Sequence, residues 1–425
     1  MADVGRNAFH ALMAAAKRPR DDAGDAGRAK GKARPAGAFA AMMAAAKSKW
    51  AGDKGKGKGK GKGEGKGKGK RTGMQDRVPY PCPAYRKVLL TPGFVCDGFC
   101  YEPSSYPSRA FFLTHFHSDH YRGLSGKWTS GLVFGSPTTL RLAREQLRVP
   151  EHLLAPLVMD VPNTVDGVRV TMIDANHCPG AVMFLFEPPG GKRILHVGDF
   201  RFDRDAMTSH AALCDKPIDI LYLDTTYCDE QYKFPPQQRT LDAVSARVRL
   251  ELDRDASTLF CFGSYSIGKE RLVLAAARML GRKVYVSAAK WRLMAAVDTW
   301  DVEALFTRDA SSTNLWLVSM SDITLAKLAS VLEDNRARHA RIVGFSPTGW
   351  NHARGTQTSS DGLVVRRDGQ PVSSIGVAYS EHSSFDELVD CVRQWRPARI
   401  IPTVSVRRGD EHVRLLRRAA AAGVQ

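Results

Sequence analysis

Hydrophobic and polar positions fall into two regimes that meet near residue 75. From about Tyr80 onward, short β-branched or aromatic runs are separated by turn residues, and this spacing predicts strands at 93–95, 110–113, 132–135, 168–173, 181–186, 193–196 and 220–223. Apolar positions at helical spacing predict helices at 137–146, 240–253, 269–280, 291–298 and 386–394. Strand-rich and helix-rich segments mix along the chain, so layered sheets in an α/β fold are expected. Before residue 75 neither period is sustained. There an alanine-rich decapeptide, residues 8–17, recurs at 38–47, each copy with a Phe, Leu/Met, Met stripe (Phe9, Leu12, Met13; Phe39, Met42, Met43) too short to be stable alone. A near-strict Lys-Gly alternation follows from 53 to 73.

Composition sharpens this division. The chain has 425 residues, 43% hydrophobic and 25% charged, enough for two or three packed domains. No apolar run reaches the roughly 18 residues of a membrane span, so no membrane partner is expected. Of the formal charge of +18, residues 1–73 carry +13 and the remaining chain only +5. Lysines that repel one another across glycines favour an extended arm, and such a polycation binds nucleic acid by counterion release without choosing a sequence. A solubilising linker is the plainer alternative. The two decapeptides read as tandem docking peptides for a protein partner, or else as duplicated low-complexity sequence. The basic stretch from Lys17 to Arg34 reads as a nuclear import signal, with an organellar transit segment as the alternative. Eight scattered cysteines fit a reducing compartment.

One stretch carries the chemistry: Thr114-His115-Phe116-His117-Ser118-Asp119-His120, directly after an apolar run. Three imidazoles and a carboxylate within six residues would continue a strand poorly and would be costly if buried unpaired. Divalent-metal coordination resolves this, because His115 and His117 point the same way on extended backbone while the following turn presents Asp119 and His120 to a second position.

This HxHxDH run resembles the signature of the metallo-β-lactamase fold, and the longer string from Phe112 to Tyr121 is similar to that of the DNA cross-link repair nucleases, the group that includes Artemis and Apollo. The resemblance spans about residues 87–404 and implies an αββα sandwich with an inserted β-CASP cap. It divides the chain into a basic arm (1–75), a first metallo-β-lactamase segment (80–238), a cap (239–372) and a returning segment (373–425). It implies one or two divalent ions, zinc first, held by His115, His117, His177 and Asp199 in one set and by Asp119, His120 and Asp199 in the other. His177 lies in Asn-His-Cys-Pro-Gly-Ala and Asp199 in Val-Gly-Asp-Phe. Asp97 is implied to support the histidine loop without binding metal.

The resemblance further implies that Asp119 orients the attacking water, that Asp224 in Leu-Asp-Thr-Thr-Tyr-Cys orders the ligand loop, and that His382 in Ser-Glu-His-Ser-Ser protonates the leaving oxygen or stabilises the second metal. Ser383, Thr225, Tyr227, Ser266 and Lys269 are the expected phosphate or DNA contacts, Ser266 and Lys269 because small residues there end a strand and open a helix whose amides can face a phosphate. Valine at 404, where the RNA-processing branch carries histidine, favours DNA. The implied activity is a 5′-to-3′ DNA exonuclease needing a 5′ phosphate, acting as a monomer on single-stranded or 5′-ended duplex DNA in cross-link and break repair. The rivals are an Artemis-type endonuclease, an RNA 3′-end-processing endonuclease and a non-catalytic scaffold.

Overall fold

The structure is a computed structural model describing residues 81–422 apart from 90–92, 107–108, 215, 350–361 and 368–369. The basic arm and both decapeptides lie outside the described residues. The first sheet is wholly parallel, with β1 (Phe94–Cys96), β2 (Ala110–Phe112), β3 (Leu132–Gly135) and β4 (Leu154–Pro156) side by side in that order. The next five strands are β5 (Asn163–Val165), β6 (Val168–Asp174), β7 (Val182–Glu187), β8 (Ile194–His196) and β9 (Ile220–Leu223). They form a second, mixed sheet in which β5 to β8 are antiparallel and β9 runs parallel to β8.

These two sheets meet through phenylalanine. Phe112 of β2 packs edge-on against Phe184 and Phe186 of β7, at ring separations of 5.2 and 5.0 Å, with Phe94 and Phe134 flanking it at 5.0 and 5.1 Å. All five rings are fully buried, and each such side chain stabilises the fold by roughly 1.5–3 kcal/mol relative to exposure.

A long helix, Gln237–Arg254, leads into the third sheet: β10 (Leu259–Ser264), β11 (Val284–Val286), β12 (Phe306–Thr307), β13 (Leu315–Ser319), β14 (Ile342–Pro347), β15 (Leu363–Arg367) and β16 (Val372–Val377), ordered β12-β11-β13-β10-β14-β16-β15. Every pairing in it is parallel except that of β15 with β16. Because β16 pairs with β14, this sheet runs past the expected boundary at 372. The chain then returns to the second sheet, where β17 (Arg399–Pro402) pairs with β9.

The predicted strands and helices all form, with ends shifted by a few residues. The helix 291–298 forms earlier, at Ala288–Ala295, because the Ser287 hydroxyl caps the Lys290 N–H there. Helix Phe385–Trp395 starts with a full capping box between Ser384 and Glu387. Short strands of the third sheet were not predicted separately from the helices between them, nor was the closing helix Gly409–Ala422. What matters for function is direction. β1, β2, β8, β9, β10, β14, β16 and β17 each end in a loop that carries a residue of one cleft or of its support, the placement expected for ligands at carboxyl ends of parallel strands.

Candidate metal centre and cleft

The cleft has a volume of about 740 Å³, and His117, Asp119, His120, His177, Asp199 and His382 line it. Backbone geometry places these groups. Asp97 follows β1 in the left-handed region (φ 52°), and Gly198 precedes Asp199 at φ 62°. A Cβ on Gly198 would stand 2.7 Å from that of Thr114, so only glycine lets the Asp199 loop close over the histidine loop.

Hydrogen bonds fix each imidazole from behind. His177 Nδ1–H donates to the Glu381 carbonyl at 2.7 Å and His117 Nε2–H to the Ile267 carbonyl at 2.8 Å. Carbonyls only accept, so the inward nitrogens carry lone pairs. Thr114 Oγ1–H donates to Asp97 Oδ2 at 2.7 Å and therefore accepts from His115 Nδ1–H at 2.9 Å. His120 Nδ1–H donates to the same Asp97 oxygen at 2.8 Å. Buried Asp97 also accepts the Thr114 N–H at 2.9 Å, and although burial opposes its charge, His120 and Arg86 hold its carboxyl below the usual range.

The consequence is a convergence that needs a cation. His115 Nε2 and His177 Nε2 approach His117 Nδ1 at 3.0 and 3.2 Å, lone pair toward lone pair. Asp199 Oδ2 closes the set at 3.6 Å from His115 and 3.9 Å from His177. Metal bonds of about 2.0–2.1 Å in a tetrahedron give ligand separations of about 3.3 Å, so these spacings fit one small divalent ion. The same Asp199 oxygen lies 3.3 Å from His120 Nε2, which is 3.6 Å from Asp119 Oδ2, a second set sharing one carboxylate with the first. A third grouping, Asp199 with Asp224 and His382, adjoins both.

Electrostatics agree with this assignment. Burial, reinforced by the neighbouring imidazoles, pushes His115 and His177 well below the ordinary histidine range, and burial lowers His117, so all three are neutral as metal ligands require. Asp199 is held ionised well below its usual value: burial works against this, but His120 and His382 outweigh it. His382 is pushed up to about 9, burial being overcome by Asp224 and Asp199. Its Nδ1–H donates to Asp224 Oδ2 at 2.8 Å, and its Nε2 faces Asp199 at 4.0 Å. Asp224 is fully engaged, its other oxygen accepting from the Thr226 N–H at 3.0 Å and hydroxyl at 2.6 Å.

Some expected contacts are not brought to the cleft. Ser383 is 2% exposed, and its hydroxyl accepts from the Phe202 N–H at 2.9 Å and donates to the Phe200 carbonyl at 3.1 Å. It ties the loop after Asp199 in place and presents nothing to a phosphate. Thr225 is equally buried and donates to the Val404 carbonyl at 2.7 Å. The helix start at Glu270–Leu280 is also closed to a phosphate: the Gly268 N–H goes to the Glu270 carboxylate at 2.8 Å, and the Lys269 N–H to Glu381 Oε1 at 2.7 Å. Tyr227, Ser266 and the Lys269 side chain do line the cleft. Lys269 Nζ donates to the Pro347 carbonyl at 2.9 Å and stands 4.9 Å over the Tyr265 ring, and burial lowers its ammonium to about 8.

Sequence reasoning missed Thr114, Glu381 and Tyr265. Thr114 was within the motif, and its hydroxyl position one residue before a ligand was a usable signal. Glu381 orients His177 through its backbone carbonyl, which no residue identity reveals, while its carboxylate takes the Lys269 N–H. Tyr265, 52% exposed at the cleft, is an aromatic face open to solvent.

Residues 300–408 match the family described as DNA repair metallo-beta-lactamase. Among individual proteins, the chain is 39% identical over 327 residues to the DNA cross-link repair protein SNM1 of Arabidopsis thaliana, covering 77% of this chain and 67% of that protein. It is 40% identical over 325 residues to the human DNA cross-link repair 1A protein, covering 76% of this chain but 31% of the relative. To the 5′ exonuclease Apollo of Gallus gallus it is 34% identical over 303 residues, covering 70% of this chain and 59% of that protein.

Proposed function

This chain belongs to the DNA cross-link repair family of metallo-β-lactamase nucleases, and from that premise we propose that it is a metal-dependent 5′-to-3′ DNA exonuclease that starts from a 5′ phosphate and acts at interstrand cross-links and broken ends. The observation that carries the reading is the pair of ligand sets sharing Asp199 at the floor of a cleft, beside the Asp224–His382 pair.

The three neutral imidazoles with Asp199 would hold one ion and Asp119, His120 and Asp199 the other. Nitrogen-rich donors with one carboxylate favour zinc. Such ions supply water activation and neutralise charge on the scissile phosphate. The protein's own groups do the rest. Asp119, at the solvent-facing edge with its side chain 73% exposed, orients the attacking water by accepting its hydrogen bond. His382 keeps its Nδ1–H on Asp224, which fixes the ring and leaves Nε2 as the atom that hands a proton to the leaving 3′ oxygen. Asp224 and Asp199 outweigh the burial of His382 and hold its ring in the protonated form that a general acid needs.

Lys269 and Ser266 receive substrate phosphates along one wall, with Tyr265 as a stacking face for a base. Thr403, Val404, Ser405 and Val406 also line the cleft, and valine at 404 supports DNA over RNA. Residues 239–372 are read as the greater part of the cap that carries the first wall. The basic arm adds counterion-release affinity, and a nuclear location and a monomeric state fit this role.

The 5′ end requirement has a direct check. On single-stranded DNA of one sequence, a 5′-hydroxyl strand should be degraded at least about tenfold more slowly than its 5′-phosphorylated twin, the loss of a charge-assisted contact. Equal rates, or products that begin with internal cuts, would replace the exonuclease with an endonuclease.

A further inference from the structure

Tyr265 and Ser266 line the cleft from the loop that joins β10 to helix Glu270–Leu280, and both are exposed. What holds them comes from elsewhere in the third sheet. β11 lies two strands from β10, with β13 between, and all three run parallel, so β10 and β11 end on one edge of the sheet about 10 Å apart. Helix Ala288–Ala295 opens just after β11, and its Ser287 cap fixes the backbone of Lys290 in the first turn. From there the lysine side chain reaches across to the cleft loop.

Lys290 spends all of its ammonium protons on that loop. Its Nζ donates to the Tyr265 carbonyl at 2.9 Å, to the Ser266 carbonyl at 3.0 Å and to Glu270 Oε1 at 2.7 Å. A lysine ammonium has three protons, so these three acceptors use its whole capacity and fix its direction. Its side chain is only 10% exposed, which shields the contacts from solvent. The rest of the loop is anchored differently. The Ile267 carbonyl takes His117 Nε2–H, the Gly268 N–H goes to Glu270 and the Lys269 N–H to Glu381. Residues 267–269 are thus tied to the metal centre and its supports, and 265–266 to Lys290. Lys269 Nζ stands 4.9 Å over one face of the Tyr265 ring, and the other face can take a base.

We propose that Lys290 is a positioning residue for DNA: by gripping the Tyr265 and Ser266 carbonyls it holds the tyrosine ring where a substrate base stacks on it. This rests on the reading of the cleft as a DNA-cutting site with Tyr265 as its stacking face. The test compares two 5′-phosphorylated single strands, one ordinary and one with abasic residues at its 5′ end. The parent should favour the ordinary strand by at least about fivefold in KM, the worth of one stacked base. Lys290→Met combined with Glu270→Gln removes cation and carboxylate together, so no buried charge is left alone. This variant should raise KM for the ordinary strand to that of the abasic one, with kcat and metal content within about twofold of the parent, because residues 267–269 keep their own anchors. Tyr265→Ala truncates an exposed side chain without opening the core and should lose the same preference; adding it to the Lys290 variant should cost nothing further. Preference retained in either variant, a parent without preference, losses that multiply, or metal lost with Lys290 would each overturn the proposal. Fluorescence anisotropy of the same strands in chelator, where nothing is cut, gives the preference independently of digestion. A parent that leaves DNA intact therefore refutes the nuclease reading, while binding still decides the role of Lys290.

Discussion

Asp199→Asn is expected to abolish digestion, by on the order of 10³-fold or more, and to strip the protein of bound metal. One oxygen of Asp199 lies within 4 Å of His115, His120, His177 and His382 and belongs to every ligand set of the cleft. Asparagine keeps the shape but removes the negative charge. The three neutral imidazoles would then be the only strong donors left to the first ion, and the second would retain only His120 and exposed Asp119. These four groups and Asp199 sit on loops after β2, between β6 and β7, after β8 and after β16, and those loops are also tied by backbone bonds such as Ser383 N–H to the Phe200 carbonyl at 2.9 Å. The fold should therefore survive the change. Metal content measured by inductively coupled plasma spectrometry, beside the rate on single-stranded DNA, checks this. Full metal content with a rate within tenfold of the parent would remove Asp199 from the centre.

The second large effect separates holding a metal from moving a proton. His382→Gln and Asp224→Asn should each lower kcat by roughly 10²–10⁴-fold with metal content retained, since the three imidazole ligands and Asp199 are untouched. Their effects should not add. Asp224 accepts from His382 Nδ1–H and from Thr226, and asparagine there would offer its amide N–H or a weaker acceptor to the ring, which disturbs the tautomer that leaves Nε2 facing the cleft. Once His382 is gone, losing the Asp224 charge has little further to remove, so the double variant should resemble the His382 variant alone. Multiplying losses would mean that Asp224 acts independently, through its 3.4 Å bond from the Phe200 N–H and hence through the Asp199 loop.

Much of this site was legible in the sequence, and what was not has identifiable causes. The histidine run could be read because its chemistry is local: four ligand-type residues within six positions make sense only around metal. His177 and Asp199 carried no such local signal and came through family resemblance. Ser383 and Thr225 were misplaced for a shared reason. Each is the direct neighbour of a functional residue, His382 or Asp224, but its hydroxyl is taken up inside the fold, that of Ser383 by Phe200 and Phe202 and that of Thr225 by Val404. The helix start near Lys269 was misread differently, since its Gly268 N–H is claimed by Glu270 and its Lys269 N–H by Glu381, 112 residues later in the chain. Long-range partnerships of that kind leave no trace in a local pattern.

The cleft's identity as a DNA-cutting metal centre is tested most directly by incubating the metal-loaded protein with 5′-phosphorylated single-stranded DNA and, separately, with RNA of the same sequence, each with and without a chelator. The DNA should be shortened stepwise from its 5′ end, the chelator should stop the reaction, and the RNA should be degraded far more slowly. Intact DNA beside cleaved RNA, or DNA digestion that continues after metal has been removed, would contradict the account.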